Sequence, residues 1–223
     1  MLFPIAKSLL CLALLASAGA VLRAQENPPI VINGTTQFAI STRPPLPVGP
    51  TETEPPAGLK KIFSNLGSKT DTYFDEDGVF ITGPGFSRTQ WIGIPFQPAS
   101  SAKATQIKIA LSYFGSGTNA ATVSLNADSG GVPGTALQTW ELTNLPLFGS
   151  CCTLQTLNSK TGIKLTNGTT YWLVAQTDST NEDAEAIWYF TWNKNIGTQA
   201  YNVDNAGWQT QQTQLSAFAV FGR

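Results

Sequence analysis

Apolar and polar residues alternate along much of this chain with a period of two. Ile107-Lys108-Ile109-Ala110-Leu111-Ser112-Tyr113 places its large apolar side chains at every second position, the signature of a strand with one buried face. Residues 121–127 repeat the pattern with Val123 and Leu125, and residues 136–143 form a further strand carrying Trp140. Between these two runs, Asp128-Ser129-Gly130-Gly131-Val132-Pro133-Gly134 is a strong turn signal. Residues 163–166 and 170–176 flank Asn167-Gly168, a pair that readily takes the positive φ angles of a tight turn, and so predict a hairpin. Residues 186–192 (AIWYFTW) are dense in aromatics and β-formers, Trp208 sits on a short strand, and residues 214–221 close the series. No convincing amphipathic helix interrupts them. About ten short strands with regular turn signals predict an all-β chain, an antiparallel β-sandwich that is jelly-roll-like, over residues 59–223.

The first fifty-eight residues read differently. Lys7 supplies a short positive region, residues 8–20 an apolar run, and Ala18, Ala20 and Ala24 small residues where a peptidase could cut. Residues 1–24 therefore read as a secretory signal peptide, cleaved after Ala20 or Ala24. Residues 25–58 hold eight of the fourteen prolines and read as a Pro-rich, disordered and flexible leader, with one short strand between Ile30 and Ile40. The mature protein is expected to have no membrane span and to be secreted, periplasmic or at the cell surface.

Composition narrows the chemistry. The signal carries Lys7 and Arg23, so of the thirteen basic residues eleven remain against fourteen acidic ones, a net charge of −3. That balance gives no basic footprint for nucleic acid. The chain has no histidine, which excludes Ser-His-Asp and Cys-His catalysis and His-ligated zinc. Removal of Cys11 leaves Cys151 and Cys152, adjacent in sequence. In an oxidising compartment they can pair with each other as a vicinal disulfide. Consecutive Cα atoms sit about 3.8 Å apart, short of the usual disulfide span, so that ring is strained. It reads as a knuckle shaping a ligand loop, as a local staple, or as two buried thiols.

Two kinds of candidate site stand out. Asp71, Asp75 and Asp77 fall in an acidic stretch suited to a structural calcium ion, which prefers several oxygen ligands, or to a solvated turn. Asn181, Glu182, Asp183 and Glu185 form a second such stretch. Trp188, Trp192, Tyr201 and Trp208 are the aromatic candidates for stacking on sugar rings. The competing reading places Trp188 and Trp192 in the core, where large aromatics usually lie. Glu141 and Asp178 are acidic residues on or after strands, with no spacing that pairs them for glycoside chemistry.

The blocks Val123-Ser124-Leu125-Asn126-Ala127-Asp128 running into Gly131-Val132-Pro133-Gly134-Thr135-Ala136-Leu137, Leu165-Thr166-Asn167-Gly168-Thr169-Thr170-Tyr171-Trp172-Leu173-Val174, and Ala217-Phe218-Ala219-Val220 carry a resemblance. Over residues 59–223 the chain resembles bacterial exported domains of the choice-of-anchor R type and related envelope proteins. The resemblance implies a β-sandwich of secreted or surface proteins and supplies no catalytic residue. The expected function is a non-catalytic module binding a polysaccharide or envelope glycan. A structural or adhesive module contacting protein partners is the second expectation, and a carboxylate-based glycosidase or lyase the third.

Overall fold

The computed structural model describes residues 53–69, 71–86, 88–115, 117–150, 153–177 and 183–223, with the backbone alone of 30–32 and 36–40. Residues 1–24, where a signal peptide is expected, and Cys151, Cys152, Asp178, Asn181 and Glu182 lie outside the described residues. The chain is all-β, an antiparallel β-sandwich, and no helix occurs among the described residues. Its strands are β1 (Ile30–Ile32), β2 (Thr36–Ile40), β3 (Lys60–Ser64), β4 (Phe74–Thr82), β5 (Gln90–Phe96), β6 (Ala102–Ile109), β7 (Leu111–Tyr113) and β8 (Ala120–Asp128). They continue as β9 (Pro133–Thr143), β10 (Gln155–Leu165), β11 (Tyr171–Gln176), β12 (Glu185–Phe190), β13 (Ile196–Val203), β14 (Gln209–Gln214) and β15 (Phe218–Gly222).

The smaller sheet has the order β10-β6-β15-β3. In the larger one, β9, β8, β11, β5, β13 and β14 lie side by side. At the Thr82↔Gln90 contact β5 meets β4, which also pairs with β12 and with β2. Between the sheets lies the main core, to which Val123 and Leu125, Ile92 and Ile94, Leu173, Ile107 and Ile109, Phe218 and Val220 contribute. This follows from the period-two alternation: one face of each strand is apolar and must be covered. On the side where β9 faces β10, the Trp140 indole N–H donates to the Asn158 carbonyl at 2.9 Å, and Ser159 Oγ donates to Gln138 Oε1 at 2.6 Å. These two bonds stitch the sheets together.

β4 and β12 are buried on both faces. Val79, Ile81, Trp188 and Phe190 point into the main core, while Phe80, Ile187 and Tyr189 form a second cluster with Tyr73 and Phe148. Double burial explains why 186–190 is apolar throughout and shows no alternation.

Three expectations are corrected. The Asn167-Gly168 turn is present, with Gly168 at φ +72° and Thr169 N bonded to Thr166 O at 3.2 Å. It does not close a hairpin. β10 pairs with β6 and β11 with β5 and β8, so the turn carries the chain from one sheet to the other. Alternation assigns a strand's faces without naming its partner. The single short strand expected between Ile30 and Ile40 is a pair, β1 and β2, and β2 adds to β4 through Phe38↔Val79. The physical reason is local: residues 30–40 contain no proline, so every backbone N–H there can join a ladder. The run 107–113 is two strands, broken at Ala110, which exchanges backbone bonds with Ala217 and Tyr189.

On the outer face of β5, β11 and β13, one end is covered among the described residues. There Trp172, Val174 and Ala200 form a third cluster, with Trp208 packed against it. The β8–β9 turn holds this end down: Asp128 Oδ1 accepts from the Trp172 indole at 2.7 Å, and Asp128 Oδ2 accepts from Gly131 N at 3.1 Å. Pro133 comes so close that a Cβ at Gly93 would lie 2.8 Å from its Cγ and 3.5 Å from Trp172 Cε3. Gly93→Ala therefore overpacks a rigid contact and should cost about 1–3 kcal/mol in a urea titration. A variant as stable as the wild type would contradict this packing.

Candidate functional site

The uncovered end of the same face forms a cleft of about 460 Å³. Its floor is a row of side chains crossing adjacent strands. Glu141 of β9 pairs with Thr122 of β8, and Thr122 pairs with Gln176 of β11. Continuing the Ala175↔Ile92 register by one step brings Gln176 to Trp91 of β5, and Trp91 pairs with Asn202 of β13. All five point outward because their strand neighbours Leu142, Ala121, Ala175, Ile92 and Tyr201 face the core. Thr139 extends the floor, and Pro84, Thr89, Thr177 and Asn205 form the rim.

Two loops build that rim. Thr89 N donates to Asp204 Oδ1 at 3.0 Å, Asp204 N donates to the Thr89 carbonyl at 3.0 Å, and Arg88 Nε lies 3.9 Å from Asp204 Oδ2. Asp204 and Asn205 both have positive φ, at +53° and +58°, a conformation Asp and Asn adopt at low cost among residues with a side chain. The left-handed pair turns Asn205 toward the cleft beside Thr89.

The floor combines one indole with hydroxyl, amide and carboxylate groups. Thr122 Oγ1 donates to Glu141 Oε2 at 2.6 Å and so fixes the carboxylate in place. The Trp91 indole N–H and the Asn202 side-chain oxygen are buried and have no hydrogen-bond partner, although Asn202 as a whole is 7 % exposed. Nine other buried side-chain atoms among the described residues are likewise without a partner, so these two do not by themselves single out the cleft. Glu141 is the single acidic residue among the described residues lining the cleft.

None of the four aromatic residues singled out from sequence lines this cleft. Trp188 is 0 % exposed, with its indole N–H donating to the Ala217 carbonyl at 3.0 Å, and is a core residue. Tyr201 is 9 % exposed and packs in the main core, its hydroxyl donating to Gln209 Oε1 at 2.9 Å. Trp208 is half-buried over Trp172. Trp192 alone is open, at 40 % exposure, because the chain leaves β12 after Phe190 and turns outward. It lies 6.1 Å from the Phe74 ring, over which Lys194 Nζ sits at 3.9 Å.

The acidic stretch is dispersed. Asp71 accepts from Ser68 Oγ at 3.1 Å in the loop before β4, whereas Asp75 and Asp77 lie on the strand itself. Asp77 faces the Lys194 ammonium at 3.7 Å, the position a cation would need. Burial holds both the Asp75 and the Asp77 carboxyl above the usual range. Among the described residues no three His, Cys, Asp or Glu side chains gather as metal ligands.

The residue that sequence reading missed is Trp91. Its signal is present in the order of β5: Ile92, Ile94 and Phe96 share the core face, which places Trp91 on the other one. Compared with known proteins, the chain matches no protein family, no characterised protein and no solved structure.

Proposed function

We propose that this chain is an exported, non-catalytic β-sandwich that binds a polysaccharide or cell-envelope glycan in the Trp91 cleft. The observation that carries this reading is the row of Glu141, Thr122, Gln176 and Trp91 on four adjacent strands. A sugar ring offers an apolar C–H face and a rim of hydroxyls. A flat indole flanked by amide, hydroxyl and carboxylate groups complements both features. The groups sit on strands, so little ordering is needed on binding. Glycoside hydrolysis generally uses two carboxyl groups across the scissile bond, and the single acid Glu141 among the described lining residues favours binding over cleavage. The blocks at 123–137 and 165–174, which resemble exported choice-of-anchor R-type domains, are in keeping with export.

The test is affinity electrophoresis of the full chain against a panel of soluble polysaccharides. Trp91→Ala should weaken binding by about 30-fold, the factor for a loss of about 2 kcal/mol at a buried aromatic anchor. Trp192→Ala should leave it unchanged. Absence of binding to every glycan, with a folded protein, would overturn the reading. The adhesive alternative rests on exposed Trp192 beside Phe74. It would gain if Trp192→Ala, and not Trp91→Ala, abolished contact with a protein partner.

A further inference from the structure

The charge around the cleft narrows the class of glycan, on the footing that the cleft binds glycans at all. Of the nine residues lining it one is charged, and that one is acidic: Glu141, exposed at the β9 end of the floor. The remaining contacts come from hydroxyls, side-chain amides, a proline and the indole. Arg88 adjoins the rim at Thr89, but it faces Asp204, which adjoins the rim at Asn205. The two charges offset each other. Thr122 holds the Glu141 carboxylate by a 2.6 Å bond on the floor, so the charge does not swing away from an incoming ligand.

A chain of uronic acids or sulfated sugars carries a negative charge on each unit or every second one. To reach Trp91 it must pass Glu141 with no cation in the lining to offset the repulsion. Like charges about 4 Å apart in water weaken binding by about fivefold per pair, and more where the cleft excludes solvent. A neutral chain meets no such barrier, and its hydroxyls can donate to Glu141 and Gln176. We propose that the cleft selects uncharged polysaccharides and rejects anionic ones, with Glu141 as the rejecting group.

The probes are neutral polymers (mixed-linkage glucan, xylan, mannan, starch) and acidic ones (alginate, polygalacturonate, hyaluronate). Each is run against the full chain at an ionic strength of about 0.01 M, where screening extends over about 30 Å and charge effects are largest. The expected result is retardation by at least one neutral polymer and by no acidic one. Glu141→Lys should then gain acidic binding, by about tenfold or more over the wild type. Wild-type protein that binds an acidic polymer as tightly as any neutral one would overturn the inference while leaving the glycan reading standing. A Glu141→Lys variant that still rejects every acidic polymer would overturn the role of Glu141. Binding to neither class would overturn the glycan reading and the selectivity with it.

Discussion

Raising the pH from about 10 to about 12 should remove about 4 kcal/mol of folding stability, a sizeable share of the roughly 5–15 kcal/mol that a domain possesses. The cause is an aromatic stack in the second cluster. Tyr189 lies between Tyr73, with centroids 4.9 Å apart and planes 19° from parallel, and Phe148, at 5.4 Å and 18°. Both tyrosines are 0 % exposed. Burial pushes the Tyr189 hydroxyl from the ordinary value near 10 up to about 12. Burial, with the neighbouring Tyr189 and Asp75 charges, raises Tyr73 further.

The sign follows from which state ionises first. Below pH 10 both states keep these protons, and the contribution is flat. Above pH 10 the unfolded chain loses them while the folded chain holds them, so stability falls as pH rises toward the folded values. One pKa unit corresponds to about 1.36 kcal/mol, so Tyr189 alone accounts for about 2–3 kcal/mol by pH 12, and Tyr73 for a similar amount over the same window. Urea midpoints taken at steps across this range test it, and a flat profile would contradict the burial of both hydroxyls. The two variants should also differ at neutral pH. Tyr189 Oη accepts from Gly149 N at 2.7 Å, so Tyr189→Phe leaves a buried donor unpaired and should cost about 1–2 kcal/mol. The Tyr73 hydroxyl is buried with no hydrogen bond of good geometry; the Thr153 backbone lies beside it without aligning. Tyr73→Phe should be neutral or stabilising at pH 7, and each variant should reduce the alkaline slope by about half.

The second large effect separates two tryptophans four residues apart. Trp188→Ala should cost about 3–5 kcal/mol, because it empties a site enclosed by the main core and leaves the Ala217 carbonyl without its donor. Trp192→Ala should cost less, about 1 kcal/mol, since the residue is 40 % exposed and has Phe74 as its aromatic neighbour. Denaturant unfolding of the two variants decides the matter. Equal and small losses would mean that β12 is not buried on both faces.

This pair also shows where sequence reading succeeds and where it stops. The inward faces of β6 and β8 and the tight β8–β9 turn were legible, because alternation and Gly-rich turns act over a few residues. Strand partnership was not legible, as the Asn167-Gly168 corner shows, because pairing is decided across the whole domain. Spacing alone put Trp188 and Trp192 on one face; the chain instead leaves the strand between them. The cleft was least visible of all. Its floor draws residues from positions 91, 122, 139, 141 and 176, and its one aromatic stands where alternation would place it only once β5 is known to be a strand.

That scattered floor has a thermodynamic corollary. No peptide excised from the chain holds the site, and a molecule seated across it would brace four strands at once. Occupancy is then linked to global unfolding rather than to the opening of one loop. A ligand at a hundred times its dissociation constant would add about 2.7 kcal/mol to the folded state. The melting temperature of the whole domain thus becomes a meter of occupancy, usable on crude mixtures of polymers before any one of them has been purified.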